Sequence, residues 1–222
     1  MRRAGYECEY LEAPHLLPTT SEVDIDGEVV QITNGKRENA RTWFLYSKID
    51  NADASMALKE TPMEYIGLEA SISRLKKYLE QNSNGFYAVL GFSQGATFGH
   101  ILSQLVCAEK RCLGANTFCK IQCAVLLSGF PSMHNILLPD RATAGSVATN
   151  DSCSDMNDKL DLRSLHIYGD KDTSVPKSFG EKLTNLFVNP ETYDHGKSHM
   201  IPHNKALIER VVTFLDSCYS LE

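Results

Sequence analysis

One short motif in this chain has the residue types and the spacing of an activated nucleophile. It is the G-x-S-x-G sequence of residues 91–95, which follows the apolar run 88–90 and precedes a helical pattern. Between a strand and a helix the turn is sharp, so the serine Oγ is lifted above the sheet at the positive end of the helix. The motif therefore predicts Ser93 as a nucleophile and the backbone N–H of Gln94 as an oxyanion-hole donor. The alternative is a glycine-bounded turn with an inert serine.

A serine nucleophile needs a base, and the base needs an acid that orients it. In hydrolases with this motif, the acid follows the serine along the chain and the histidine comes last. Asp170 and Asp172 both follow a predicted strand that ends at Gly169. Asp172 is the favoured acid, because it lies at a loop tip that runs into a helix start at residues 174–176. Asp170 is the alternative.

Three histidines follow the last predicted strand: His195, His199 and His203. At this position in the chain, one of them is expected to be the base. His199 is favoured because residues 196–198 give it a flexible approach and Pro202 gives a rigid stop. We expect His195, at a strand end, to support the site or to pack beside it. We expect His203 to cap the last helix.

Alternating strands and helices must position these side chains. Strands are predicted at residues 7–13, 86–90, 121–128, 164–168 and 192–193. Helices are predicted from an N-cap at Thr61 to residues 84–85, and at about 94–108, 176–187 and 203–218. This alternation predicts a parallel sheet covered by helices on both faces. A small hairpin is predicted around residues 28–32, and the polar residues 139–158 are expected to form a mobile loop.

Composition restricts the function classes. The 222 residues are 42% hydrophobic and 23% charged, which is typical of one soluble globular domain. A net charge of −6 without a basic stripe argues against nucleic acid and anionic membranes. The seven cysteines contain no C-x-x-C pair, which argues against zinc and favours reduced, mostly buried thiols. No apolar run approaches the roughly 18 residues that span a bilayer, and the first residues lack a signal-peptide core, so we expect a cytoplasmic protein.

Several stretches resemble the FSH-type serine hydrolases, a compact branch of the α/β hydrolases. They cover nearly the whole chain in the right order: residues 12–15, 41–44, 91–96, 127–130, 169–176 and 195–202. The resemblance implies a three-layer α/β-hydrolase fold with a mostly parallel sheet. It also implies a triad of Ser93, Asp172 and His199, and a carboxylesterase-like activity without metal or organic cofactor. The region of Trp43 is expected near the acyl pocket.

The chain departs from that family at two places. Lys197 and Ser198 stand where the family usually has two glycines, which alters the loop without removing the base. Family members also begin with an apolar strand, a His-Gly-Phe-type loop and a helix, and this sequence starts after them. The resemblance therefore predicts one domain over residues 1–222 that lacks its first, central strand and a second oxyanion donor. An incomplete gene model or a truncated isoform would each explain this, and we expect the chain as given to be poorly soluble or inactive.

Two functions fit these residues. The first is a serine hydrolase that cleaves carboxylic esters or thioesters of small to medium acyl groups through a Ser-Asp-His triad and an acyl-enzyme. The second is a hydrolase-fold binding protein, weakened or inactive because half of its oxyanion hole is missing; one lost donor typically costs about 10²–10³ in turnover. The expected partner is a small-molecule acyl substrate rather than nucleic acid or a membrane. The sequence leaves the oligomeric state open.

Overall fold

The computed structural model describes residues 5–17, 39–47, 64–82, 86–111, 117–118, 120–132 and 159–219, together with the strand residues 23–25 and 28–30. Within these ranges the strands are β1 (His15–Leu16), β2 (Val23–Ile25), β3 (Glu28–Val30), β4 (Arg41–Thr42), β5 (Leu45–Ser47), β6 (Glu64–Ile66), β7 (Ala88–Phe92), β8 (Cys123–Leu127), β9 (Arg163–Tyr168) and β10 (Glu191–Asp194). The helices are α1 (Leu68–Gln81), α2 (Gln94–Arg111), α3 (Lys177–Thr184) and α4 (Lys205–Tyr219).

A parallel sheet of four strands, in the order β10-β9-β8-β7, forms the middle layer. All five residues of β8 are buried, as expected for a parallel strand covered on both faces. Ala124 and Leu126 face the core that α1, α2 and α3 cover, whereas Val125 and Leu127 face the core that α4 covers. This three-layer α/β arrangement confirms the fold class predicted from the alternation of strands and helices.

The carboxyl ends of three sheet strands lead directly into the segments that carry the candidate site. β7 runs without a linker into the nucleophile turn and α2, β9 runs into the loop of Asp172, and β10 runs into the loop of His199. Parallel strands place these ends at one edge of the sheet, so residues far apart in sequence meet there. The fold therefore explains why Ser93, Asp172 and His199 lie at the same edge of the sheet.

The predicted strand at residues 7–13 is wrong. These residues are irregular, and the first described strand is the short β1, which pairs antiparallel with β4. An alternating segment becomes a strand only when a neighbour completes its hydrogen-bond ladder. Here side chains anchor the segment instead, because the Tyr6 hydroxyl donates to Asp216 Oδ1 at 2.6 Å and Tyr78 donates to Glu9.

The predicted start of the first helix is also wrong. Residues 64–66 form β6, which pairs antiparallel with β5, and α1 begins only at Leu68. Tyr65, which lies within the predicted helix, is a strand residue and stacks on Phe44, with ring centroids 4.4 Å apart. Gly67 separates the two elements with φ of +80°, a left-handed conformation that favours glycine. The N-cap expected at Thr61 lies outside the described residues.

The small predicted hairpin is present as the antiparallel pair of β2 and β3, although its strands lie at 23–25 and 28–30. The loop expected at residues 139–158 lies outside the described residues.

Within the described part of the chain, β7 pairs with β8 along one edge and with no strand along the other. This open edge of β7 is where the strand predicted to be missing would pair. Leu90 of β7 exposes 51% of its surface.

Candidate active site

Ser93 occupies a strained turn between the end of β7 and the start of α2. Its φ is +55°, a region that costs a residue with a side chain about 1–3 kcal/mol and that clusters at functional sites. The turn is held from both sides: the Ser93 N–H donates to Leu127 O of β8 at 2.9 Å, and the Ser93 carbonyl accepts the N–H of Ala96 at 2.9 Å. Neighbouring structure therefore fixes the conformation that presents the hydroxyl.

The two glycines that flank the turn differ in their steric roles. A Cβ added at Gly91 would overlap the carbonyl group of Gly95, so the first glycine is required by close backbone approach. A Cβ added at Gly95 would meet the indole Nε1 of Trp43 at 3.7 Å, an ordinary contact. The motif predicts small residues on both sides of the serine, and the space around the turn demands one only at Gly91.

Ser93, His199 and Asp172 form one hydrogen-bonded chain. His199 Nε2 lies 3.0 Å from Ser93 Oγ, and His199 Nδ1 lies 2.8 Å from Asp172 Oδ2. A carboxylate only accepts hydrogen bonds, so a neutral His199 carries its proton on Nδ1 and leaves Nε2 free to accept the serine proton. The geometry brings together the three residues favoured from the sequence, with His199 between Ser93 and Asp172.

The Asp172 carboxylate is buried and is held by its own loop. Oδ1 accepts the backbone N–H groups of Ser174 at 3.0 Å and Val175 at 2.8 Å, which leaves Oδ2 facing His199. Burial alone would raise the pKa of Asp172, but the hydrogen bonds from Val175 and His199 outweigh it and lower that pKa. The carboxylate therefore stays ionised at neutral pH, with one oxygen facing His199.

The alternatives to this acid and base occupy other roles. Asp170 is exposed, and its backbone N–H donates to Asp194 at 3.3 Å. His195 accepts the N–H of Lys197 at its Nδ1, at 3.2 Å, so it lies in the loop beside the base, as expected. The prediction that His203 caps α4 is wrong, because Asn204 Oδ1 accepts the N–H of Leu207 at 2.8 Å. Asparagine immediately before a helix is itself a strong capping signal.

Gln94 uses its side chain as well as its backbone. The backbone N–H lies in the first residue of α2, at the positive helix end. The side-chain Oε1 accepts the hydroxyl of Thr42 at 2.7 Å and the N–H of Trp43 at 2.9 Å, and Nε2 donates to Phe44 O at 2.9 Å. Sequence reasoning missed this clamp, which holds residues 42–44 against the nucleophile turn.

Aromatic and apolar side chains surround the hydroxyl and the base. The Trp43 ring stacks on Phe98 of α2, with centroids 4.4 Å apart and planes 6° apart. Phe92, the residue before the serine, lies against the His199 ring at 4.9 Å. Met200 and Ile201 follow the base and remain exposed. Trp43 therefore lies beside the nucleophile turn, the neighbourhood that the resemblance implies for it.

The described residues contain neither a metal-binding cluster nor a helix that could span a membrane. No cluster of three or more histidine, cysteine, aspartate or glutamate side chains in the described ranges has an arrangement that could hold a metal ion. In that part of the chain, no helix combines the length and the apolar character that crossing a membrane requires. Cys107, Cys123 and Cys218 are buried cysteines outside any disulfide, and Cys8 is an exposed cysteine outside any disulfide.

Comparison with known proteins assigns the family. Residues 1–211 match the family model described as serine hydrolase (FSH1). The chain belongs to this serine hydrolase family. The resemblance inferred from the motifs is thereby confirmed, and membership makes the chain a hydrolase.

Three relatives that match this chain by sequence are named esterases. Esterase OVCA2 of Homo sapiens is 30% identical over 179 residues, which cover 81% of this chain and 69% of the relative. Esterase C25G4.2 of Caenorhabditis elegans is 27% identical over 80% of this chain and 71% of its own length. Esterase AAEL000016 of Aedes aegypti is 28% identical over 94% of this chain. The match spans 63% of the length of that mosquito esterase.

Solved structures show the same fold at low sequence identity. Zea mays acyl-protein thioesterase 2 superposes with a TM-score of 0.51 at 18% identity, covering 90% of this chain and 79% of that one. A Bacillus cereus carboxylesterase superposes with a TM-score of 0.50 at 13% identity, covering 86% and 74%. These likenesses support the α/β-hydrolase fold.

Proposed function

We propose that this serine hydrolase cleaves carboxylic esters or thioesters of small to medium acyl groups through an acyl-enzyme on Ser93. One observation carries the proposal: the unbroken contact from Ser93 Oγ to His199 at 3.0 Å and from His199 to Asp172 at 2.8 Å. A serine becomes a useful nucleophile when a base stands within hydrogen-bond reach and an acid orients that base. The strained backbone of Ser93 adds support, because such strain persists where function requires it.

The reaction follows from the roles of the three side chains. Ser93 Oγ attacks the acyl carbonyl carbon while His199 Nε2 takes the hydroxyl proton. The buried Asp172 carboxylate stabilises the imidazolium through Nδ1–H. When the C–O or C–S bond to the leaving group breaks, His199 returns the proton to the departing alkoxide or thiolate. Water then attacks the acyl-enzyme with His199 as base, which releases the acid and restores Ser93.

Charge on the carbonyl oxygen is stabilised at the start of α2. The backbone N–H of Gln94 follows the nucleophile directly, and the positive end of the 18-residue helix adds to it. The Gln94 side chain points the other way, to residues 42–44, and does not compete for this role.

The surroundings of the triad favour an apolar acyl group. Phe92 lies against His199, the Trp43–Phe98 stack flanks the nucleophile turn, and Met200 follows the base. Apolar side chains of this kind bind hydrocarbon by removing it from water. The relatives named esterases support cleavage of an ester bond, and the neighbour of similar fold is named a thioesterase.

The test combines substrate turnover with an active-serine probe. The absence of the central strand, expected from the sequence, predicts a poorly soluble or inactive chain, but Ser93, His199 and Asp172 are in hydrogen-bond contact. We therefore expect the chain to hydrolyse p-nitrophenyl esters and acyl thioesters, and a fluorophosphonate to label Ser93. Ser93→Ala should abolish both. Ser103→Ala is the matched control, because that buried serine lies in α2, the helix that begins directly after Ser93, and its hydroxyl donates to Gly99 O at 2.8 Å. A folded chain that neither turns over nor takes the label would favour the non-catalytic binding protein instead.

A further inference from the structure

Asp172 and His199 lie on two different loops, and the distance between the two loops must be fixed for the side chains to stay in contact. The acid loop, residues 169–176, follows β9, and the base loop, residues 195–202, follows β10. Each loop fixes its own backbone locally, but the 2.8 Å contact between Asp172 and His199 spans the two. A misplacement of about 1 Å can cost about 100-fold in rate. Some group must therefore set the distance between the loops.

Asp194, the last residue of β10, contacts both loops with one carboxylate. Its Oδ1 accepts the backbone N–H of Gly196 in the base loop at 2.8 Å and that of Asp170 in the acid loop at 3.3 Å. Its Oδ2 accepts Lys177 Nζ at 2.9 Å. Lys177 is the first residue of α3, which the acid loop enters. One side chain thus ties together the base loop, the acid loop and the helix behind it.

The loops also touch without spare room at the same point. A Cβ added at Gly169 would overlap the backbone of Lys197 and approach His195 Cε1 to 2.6 Å. Gly196 has φ of +65°, so the base loop turns sharply directly after Asp194. The hydrogen bonds of Asp194 therefore act at the point where the acid loop packs against the base loop.

We propose that Asp194 is a positioning residue whose carboxylate holds the acid and base loops in the arrangement that keeps Asp172 in contact with His199. The inference rests on the proposed function, because it assigns the support of that same triad. Asp194 contacts none of the reacting atoms.

The charge state of Asp194 suits this role. Burial would raise its pKa, but the hydrogen bonds from Lys177 and from the Gly196 N–H outweigh that effect and lower it. The group is therefore a carboxylate, with two acceptor oxygens, throughout the neutral range. A partly exposed ion pair such as Lys177–Asp194 is usually worth little in stability. Loss of Asp194 should consequently affect the geometry of the site more than the stability of the fold.

The experiment compares Asp194→Ala, Asp194→Asn and a control at the opposite end of the same strand. Glu191, the first residue of β10, binds Arg163 at 3.2 Å and Arg210 at 2.7 Å. Glu191→Ala removes a β10 carboxylate with more ion-pair partners but without loop contacts. Each variant is measured for kcat and KM on a p-nitrophenyl ester, for melting temperature, and for the low-field proton resonance of His199 Nδ1–H.

We expect Asp194→Ala to lower kcat about 10-fold or more with KM within about twofold. Glu191→Ala should keep kcat although it melts at least as early. Asp194→Asn should recover most of kcat, because an amide oxygen still accepts the two N–H groups. The low-field resonance should be lost in Asp194→Ala and kept in Glu191→Ala. Equal kcat in the two alanine variants, or an unchanged resonance, would overturn the proposal. A wild-type chain without turnover contradicts the proposed function instead, and the resonance still decides the role of Asp194.

Discussion

Two buried histidines should make this fold sensitive to mild acid. His100 of α2 and His166 of β9 both lie in the core, on either side of Phe187. His100 Nδ1 accepts the N–H of Ser132 at 3.0 Å, and His166 Nε2 lies 3.0 Å from Ser164 Oγ. Burial lowers the pKa of His100 to about 4. Burial, with a smaller effect of His100, lowers the pKa of His166 to about 3.

The direction and the size of the effect follow from these values. An unfolded chain binds protons at histidine below a pKa of about 6.5, whereas the folded chain keeps these two neutral until far lower pH. Stability is therefore complete above neutral pH and falls as the pH decreases, by about 1.4 kcal/mol per pH unit for each histidine. Between pH 7 and pH 5 the two together remove about 4 kcal/mol of the roughly 5–15 kcal/mol typical of a domain.

The pH range in which the buried histidines lower the stability differs from the range in which the carboxylates do so. Asp172 and Asp194 have lowered pKa values, so their contribution is present above the ordinary carboxyl pKa and is lost only at lower pH. His195, whose pKa burial also lowers, adds a smaller loss in the same direction as the core histidines.

Urea denaturation at pH 7 and pH 5 measures the effect. We expect His166→Leu to lower the difference in unfolding free energy between the two pH values to about 2 kcal/mol, because one titrating site is gone. His203→Gln, at an exposed histidine outside the core, is the control for replacing a histidine without removing a buried side chain. A wild-type difference below about 1 kcal/mol, or a full difference in His166→Leu, would refute the reasoning.

Two further predictions concern the turn and the acid. Gly91→Ala should destabilise the fold by at least about 2 kcal/mol in urea denaturation, because its Cβ meets backbone, whereas Gly95→Ala should stay within about 1 kcal/mol of wild type; equal losses would contradict the steric account. Asp172→Asn should lower kcat roughly 10³–10⁴-fold in ester hydrolysis by favouring the wrong tautomer of the base. Asp170→Asn should retain turnover, and the reverse ranking would reassign the acid.

The three contacting side chains of the candidate site, Ser93, Asp172 and His199, could be predicted because their signals are local. A glycine-bounded serine between a strand and a helix reports its own turn, and the fold fixes the order in which acid and base follow. Asp172 could be favoured over Asp170 because its loop tip runs into a helix start. In the structure, the N–H groups of Ser174 and Val175 in that segment donate to its carboxylate. The parallel sheet followed from the alternation of apolar strands with helices in the same way.

The features that the sequence did not predict depend on contacts between segments that are distant in sequence. The clamp of Gln94 on residues 42–44 and the contacts of Asp194 with two loops arise only when the elements are assembled. No periodicity marks such residues. The strand expected at 7–13 failed for a related reason, since a strand forms only with a neighbour to complete its ladder. Residues 64–66 matched a helical pattern, but pairing with β5 outweighed that local preference.

Mapping of a trapped acyl group tests the central claim most directly. The chain is mixed with a p-nitrophenyl ester, quenched in acid within the first turnover, and digested for mass spectrometry. We expect one acyl group on the peptide that contains Ser93, a matching burst of p-nitrophenol, and neither signal in Ser93→Ala. An acyl group on another residue, or undiminished turnover in Ser93→Ala, would contradict the account.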